Sequence, residues 1–114
     1  MKTAYTKGLW AERACTLILW LKGYIILGRR VKTPLGEIDI VARKGSTLAI
    51  VEVKYRPQLI HDPIVLFEQR MRLERAAKYF AKKFNEPLNI RFDLMLVIRG
   101  RLPYHLKGAW RPER

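Results

Sequence analysis

Two carboxylates and a lysine stand near the middle of the chain in a pattern that suits phosphate chemistry. Asp39 lies in Gly36-Glu37-Ile38-Asp39-Ile40-Val41-Ala42, and Glu52 and Lys54 lie in Val51-Glu52-Val53-Lys54. Acidic residues are poor strand formers and are costly on a face turned toward a core. Yet Glu37, Asp39 and Glu52 fall on two neighbouring segments that read as strands. Side chains two positions apart leave the same face of a strand, so Glu52 and Lys54 point together. Carboxylate oxygens hold hard cations such as Mg²⁺ or Mn²⁺, which neutralise charge on a phosphate and acidify a water. A lysine beside them can orient or deprotonate that water and offset developing negative charge. The chemistry expected of Asp39, Glu52 and Lys54 is therefore metal-dependent hydrolysis of a phosphodiester. The plainer alternative is an ion pair of Asp39 with Lys54, or of Glu52 with an arginine, on a solvated sheet face.

The elements around the trio decide whether it can converge. Residues 37–42 alternate, with Ile38 and Ile40 to one side and Glu37, Asp39 and Val41 to the other. Residues 43–46 carry a turn around Gly45. Residues 48–55 form the next strand, with Ala49, Val51 and Val53 on one face and Ile50, Glu52 and Lys54 on the opposite one. A two-residue turn at Lys44-Gly45 pairs Asp39 with Ile50 and Glu37 with Glu52. A four-residue turn over 44–47 sets Asp39 opposite Glu52. Both leave the trio on a common face, with the carboxylate β-carbons about 5 to 8 Å apart.

The remaining segments supply a scaffold. Residues 6–22 read as a helix with Thr6 as N-cap and Gly23 just past its end. Its second half is apolar nearly all round, which predicts burial on more than one side. Residues 24–31 read as a strand, followed by a Thr33-Pro34-Leu35-Gly36 turn. Pro57 ends the strand that carries Lys54, and a loop over 57–63 follows. Residues 64–85 read as a helix with Leu73, Ala76, Ala77, Phe80 and Phe84 on one side. Residues 89–99 form a strand whose apolar centre predicts an internal place in the sheet. Residues 102–106 suggest a short edge strand, and 107–114 a loose tail. The expectation is one α/β domain over 1–114, a mixed sheet of about five strands flanked by helices in the order α-β-β-β-α-β-β.

Charge points to the partner. Twenty-three Lys and Arg against 10 Asp and Glu give a formal net charge of +13 over 114 residues. So strong a bias in a short chain favours a polyanion, and nucleic acid is the commonest. The candidate phosphate contacts are Arg29, Arg30 and Lys32, then Arg43 and Lys44, then Arg70, Arg72 and Arg75. A single cysteine, Cys15, permits no intrachain disulfide and no thiolate zinc cluster, and reads as a small core residue. The apolar run over 17–21 is far shorter than the roughly 20 residues of a membrane span. No secretory signal is read at the start, and the expected location is cytoplasmic.

These segments together carry a resemblance. GEIDIVA followed by VEVK resembles the D-(x)n-E-x-K core of the PD-(D/E)xK nuclease superfamily. Adding Gly8, Ala11-Glu12, Lys22-Gly23-Tyr24, Gln69, Leu73, Ala76-Ala77 and Arg91-Phe92-Asp93, the chain resembles the YraN family of uncharacterised bacterial proteins, which are similar to archaeal Holliday-junction resolvases. The resemblance covers residues 8–110. It implies a restriction-endonuclease-like three-layer fold, with Asp39, Glu52 and the Val53 carbonyl as ligands for Mg²⁺ or Mn²⁺ and Lys54 as the catalytic lysine. It implies that Glu12 reaches the metal site from the first helix and that Gln69 borders it from the second. The chain departs from the pattern at Glu68, where many relatives carry lysine.

Each of these residues also has a plain structural reading. Glu12 suits the N-terminal half of any helix, Gln69 a buried hydrogen bond, Asp93 a pair with Arg91. His61 and His105 lack zinc-ligand spacing and read as surface or satisfied histidines. Trp10, Trp20 and Trp110 are available to stack on bases but equally to pack a core or an interface. The leading expectation is a Mg²⁺- or Mn²⁺-dependent endonuclease on DNA, branched or structured DNA in particular, working as a homodimer by analogy with resolvases. The alternatives are a catalytically silent nucleic-acid-binding module on the same scaffold, or a basic protein that binds acidic proteins or ribosomal RNA by charge alone.

Overall fold

The computed structural model describes residues 4–56 and 67–112, with side chains over 8–55 and 67–112. The elements run α1 (Ala4–Leu21), β1 (Ile25–Thr33), β2 (Gly36–Lys44), β3 (Thr47–Arg56), α2 (Phe67–Ala81), β4 (Asn89–Ile98) and β5 (Tyr104–Trp110). This is the expected order. The five strands form one sheet in the spatial order β1-β2-β3-β4-β5. β3 and β4 are parallel and the other pairs antiparallel. Parallel neighbours need a crossover, and α2 lies within the one that joins them. The loop expected over 57–63, the helix start at 64 and His61 lie outside the described residues.

The sheet is covered on both faces. Ala11, Cys15 and Leu19 of α1 pack on Ile40, Ala42, Ala49, Val51, Met95 and Val97. Leu73, Ala76, Ala77 and Phe80 of α2 pack on Ile38, Val41, Leu48, Ile50, Phe92 and Leu94. On β3 the alternation is as expected, so Glu52 and Lys54 continue the α2-side row of Leu48 and Ile50. On β2 it is not. Ile38 and Ile40 were expected on one side, but Ile38 joins Val41 beneath α2 while Ile40 joins Ala42 beneath α1. The slip lies opposite Arg30 on β1, which has a left-handed backbone with φ of 50°. Such a conformation interrupts regular pleating and is costly for a residue with a β-carbon.

Other boundaries also shift. α1 begins at Ala4, so Thr6 lies inside its first turn rather than capping it. Burial of α1 is one-sided: Leu17, Trp20 and Leu21 are 56%, 62% and 66% exposed. The all-round apolar pattern therefore does not report burial on several sides. α2 ends at Ala81 and not at Asn85. Residues 107–110, expected in a loose tail, form the end of β5, where Trp110 is buried and stacks on Phe92 at 5.2 Å between ring centroids.

Asp93 explains that order. The β4–β5 register shifts between Phe92 and Leu94, and Gly108 adopts a φ of 60° across from the shift. Fully buried Asp93 fills the resulting bulge. It accepts bonds from Arg91 Nε and Nη2 at 2.8 Å each, from His105 Nε2 at 2.8 Å and from the Gly108 N–H at 3.0 Å. Burial alone would raise its carboxyl, but the donors from His105, Arg91 and Gly108 outweigh it and hold the group down at about 2. His105 is thus a satisfied histidine, and Asp93 pairs with Arg91 as its structural reading held.

Removing one side of a buried ion pair typically costs about 3–5 kcal/mol. Urea unfolding of Asp93→Ala at pH 7 is expected to show a loss of that order. A depressed carboxyl stabilises above its ordinary value of 3.8. Wild type should therefore lose this contribution as pH falls from about 4 to about 2, and the variant should not.

Candidate active site

The β2–β3 hairpin turns through Gly45-Ser46, with Lys44 paired to Thr47. Gly45 has a φ of 60° at the first central position, as a two-residue II′ turn requires. The ladder then runs Arg43↔Leu48, Ala42↔Ala49, Val41↔Ile50 and Ile40↔Val51. The register is the one expected of a four-residue turn over 44–47, with Asp39 across from Glu52, but Lys44 and Thr47 pair as well, so the turn is neither of the two expected and closes on Gly45-Ser46.

Beyond Ile40↔Val51 the sheet forks. β2 stays with β1 as far as Gly36↔Thr33, while β3 stays with β4 as far as Arg56↔Ile98. Asp39 stands in the fork. Its Oδ2 accepts the Val53 N–H at 2.8 Å, replacing the backbone partner that β2 no longer offers. The N–H and C=O of one strand residue leave on the same edge. The Val53 carbonyl is therefore on the Asp39 side as well.

Glu52 and Lys54 face α2, which answers with Gln69. Lys54 Nζ donates to Gln69 Oε1 at 3.3 Å, and Gln69 Nε2 donates to Glu52 Oε1 at 3.0 Å. Lys54 Nζ is also 3.4 Å from Glu52 Oε1. An amide has one accepting and one donating end, so Gln69 bridges an ammonium and a carboxylate that differ in need. From the other side, α1 brings Glu12. Arg30 Nε holds its two carboxylate oxygens at 3.2 and 3.0 Å.

The electrostatics are those of crowded acids. Glu52 is pushed up to about 7, first by burial and then by the Asp39 charge, with Lys54 opposing. Asp39 is also raised, first by burial, against the Val53 hydrogen bond and with a further push from Glu12. The Cys15 thiol, fully buried beneath them, is pushed up to about 12 by burial and by the charges of Asp39 and Glu12. Two hard oxygen acids that repel each other, beside a backbone carbonyl, are a donor set that could hold Mg²⁺ or Mn²⁺. Among the described residues no three His, Cys, Asp or Glu side chains gather as one cation cluster. Glu12 turns to Arg30 instead.

The structure thus brings together Asp39, Glu52, Val53, Lys54 and Gln69, with Glu12 one ion pair away. It spreads the basic candidates unevenly. Arg29, Arg30 and Lys32 lie on β1 beside the fork, since Arg29 pairs with Ile40 and Lys32 with Glu37. Arg72, one turn along α2 from Gln69, packs its side chain against Gly36 at the start of β2. Arg70 lies over the Trp110 ring at 5.6 Å. Arg43 and Lys44 lie at the other end of the hairpin, about 13–16 Å along β2 from Asp39 at the usual rise per residue. There Arg43 binds Glu86 at 2.6 Å, and Lys44 Nζ donates to the Lys22 carbonyl at 2.7 Å, closing the end of α1. Sequence reasoning missed that Arg30 serves Glu12. Nothing in the pattern of residues marks a left-handed arginine.

Comparison with known proteins follows the same lines. Residues 11–97 match the profile of Uncharacterised protein family UPF0102. The chain belongs to this family. A member from Parvibaculum lavamentivorans is 46% identical over 112 residues, covering 96% of this chain and 84% of that protein. One from Sphingopyxis alaskensis is 40% identical over 111 residues, covering 96% of each. Among solved structures, Hjc of Archaeoglobus fulgidus, a Holliday junction resolvase from an archaeal hyperthermophile, aligns with a TM-score of 0.64. It is 24% identical, with 95% of this chain and 80% of that chain covered. The family assignment and the fold agree with the resemblance drawn from the motifs.

A carboxyl raised on folding stabilises below its unfolded value and loses that contribution as pH rises through its folded value. In chelator, the melting temperature of the protein is therefore expected to fall between about pH 4.5 and pH 7 on account of Glu52. Glu52→Gln should flatten that fall. An equal slope in both proteins would show that Glu52 is not held protonated by its surroundings.

Proposed function

We propose that the chain is a divalent-cation-dependent DNA endonuclease. The observation that supports this most is the meeting of Asp39, Glu52 and Lys54 at the fork between β2 and β3, on a chain with a formal net charge of +13. Asp39, Glu52 and the Val53 carbonyl would hold Mg²⁺ or Mn²⁺. Bound there, such an ion would supply charge neutralisation at the scissile phosphate and a more acidic water. Lys54 is held by two oxygens, Glu52 Oε1 and Gln69 Oε1, and would have one proton left to offer the reacting water or phosphate. Gln69 keeps Lys54 and Glu52 in register while the carboxylate changes partner. Glu12 is held by Arg30 on both carboxylate oxygens, and its effect on the fork is to push the Asp39 carboxyl up. Arg29 and Lys32 on β1 and Arg70 and Arg72 on α2 flank the fork as phosphate contacts. Arg43 and Lys44 would at most touch the duplex at a distance.

The resolvase named above shares the fold, and the Holliday junction on which it acts makes branched DNA the form to try first. A second copy of the chain as partner belongs to the same reading. α1 leaves Leu17, Trp20 and Leu21 more than half exposed, and a two-fold dimer matches a four-way junction. Light scattering that finds a monomer at high concentration would remove the dimer. The silent binding module is the second reading. It is favoured by the Glu12–Arg30 pair, which leaves two carboxylates rather than three at the fork.

The deciding experiment incubates labelled linear, flapped and four-way-junction DNA with and without Mn²⁺ or Mg²⁺. Asp39→Ala is expected to abolish cleavage and retain binding. Lys54→Ala is expected to lower the rate about 10²- to 10⁴-fold, the range for a positioned acid–base group. Binding with no cut by wild type on any substrate would transfer the assignment to the binding module.

A further inference from the structure

A cavity of about 700 Å³ opens next to the fork, outside the set of residues assigned above. Trp10 of α1 lines it. Tyr55 at the end of β3, Ile98 at the end of β4 and Arg99, Arg101 and Leu102 of the β4–β5 turn complete the lining. It lies at the carboxyl ends of the parallel pair β3 and β4, the end at which open α/β sheets present ligands. Tyr55 directly follows Lys54 and packs toward the α1 side, whereas Lys54 faces α2. Trp10 precedes Glu12 by two residues on α1. The cavity and the fork therefore share the end of β3 and the start of α1, on opposite faces of one strand.

The lining combines two chemistries that rarely serve a folded core. Trp10 is 57% exposed and Leu102 83% exposed. Exposed apolar groups gathered around one cavity form a contiguous patch, the kind of surface that takes a ligand. Arg99 and Arg101 add positive charge at the rim. A lining that combines Trp10 and Tyr55 with Arg99 and Arg101 suits a nucleobase stacked on an aromatic ring with its phosphate on a guanidinium. A volume of this size lies within the usual range for small-ligand sites of about 300–1,000 Å³. A base paired and stacked inside a duplex cannot enter such a pocket without being extruded.

We propose that this cavity binds one unpaired nucleotide, so that the substrate carries a single-stranded or displaced segment beside the phosphodiester at Lys54. The site rests on the nucleic-acid reading above and narrows it to the class of strand.

The test measures fluorescence anisotropy in chelator with three labelled DNAs: a blunt duplex, the same duplex with a single-stranded overhang, and an oligothymidylate. Wild type, Trp10→Ala, Trp10→Phe and Arg101→Ala are compared. Trp10→Ala is expected to weaken binding of the overhang and the single strand about tenfold, within the range for one base–aromatic stack, and to leave the blunt duplex nearly unchanged. Trp10→Phe should restore most of the loss. Arg101→Ala should weaken the same two DNAs and lower their salt dependence by about one phosphate contact. Equal weakening on all three DNAs, or none on any, overturns the proposal. So does a dimer in wild type that Trp10→Ala dissociates while all affinities fall together, since a second copy then fills the cavity. If Trp10→Ala melts early, Trp10→Phe and Arg101→Ala decide alone. Selective loss without any Mn²⁺-dependent cleavage by wild type upholds the cavity and removes the hydrolytic reading. Cleavage with no selective loss does the reverse.

Discussion

The hydrogen bond from the Val53 N–H to Asp39 Oδ2 is the joint around which the site is built. Where β2 and β3 part, a backbone donor on β3 would otherwise lack its ladder partner, and a half-buried amide without a partner is costly. Asp39 supplies the acceptor from β2. In doing so it brings a second carboxylate beside Glu52 in a region where burial already disfavours charge. The contact itself lowers the Asp39 carboxyl, but burial and the neighbouring acids that come with its place in the fork outweigh it, and both carboxyls rise. A cation, a proton or Lys54 must balance the result.

Two helices make the balance possible from opposite faces. α2 is fixed on the sheet by Leu73, Ala76, Ala77 and Phe80, and that packing places Gln69 over the Glu52 and Lys54 row. α1 is fixed by Ala11, Cys15 and Leu19, which places Glu12 against Arg30 of β1. Arg30 sits opposite Asp39 with a left-handed backbone. Backbone strain of this kind, worth about 1–3 kcal/mol, persists where surrounding contacts hold it, and it is commonest at functional sites. The same economy of partners recurs away from the fork at Asp93, where four donors on one buried carboxylate hold β5 to β4. There the donors outnumber the acids and the carboxyl is lowered. At the fork the acids crowd each other and the carboxyls rise. The contrast separates a structural carboxylate from candidate ligands.

Much of this was legible in residue order. Alternation along β3 assigned Glu52 and Lys54 to a common face, because the strand period is fixed by backbone geometry. The element order and the inward face of α2 followed from periodicity and turn residues. The all-round apolar half of α1 was misleading, because hydropathy reports what a helix is able to bury and not how many sides are covered. The end of β5 is not legible as a strand in residue order, because its register depends on Asp93, Arg91 and His105 meeting across two strands.

By itself, the sequence determined the composition of the site and the period on which it is displayed. The acids, the lysine, the glutamine and the excess of positive charge are covalent facts, and local backbone geometry orders neighbours two or four apart. Tertiary structure alone decided which hairpin register closed, that β2 and β3 part at Asp39, that Arg30 takes Glu12, and that Trp10 meets Tyr55 and the β4–β5 turn around a cavity. Those outcomes depend on contacts between segments far apart in the chain, whose energies are set by packing and burial that no local window contains.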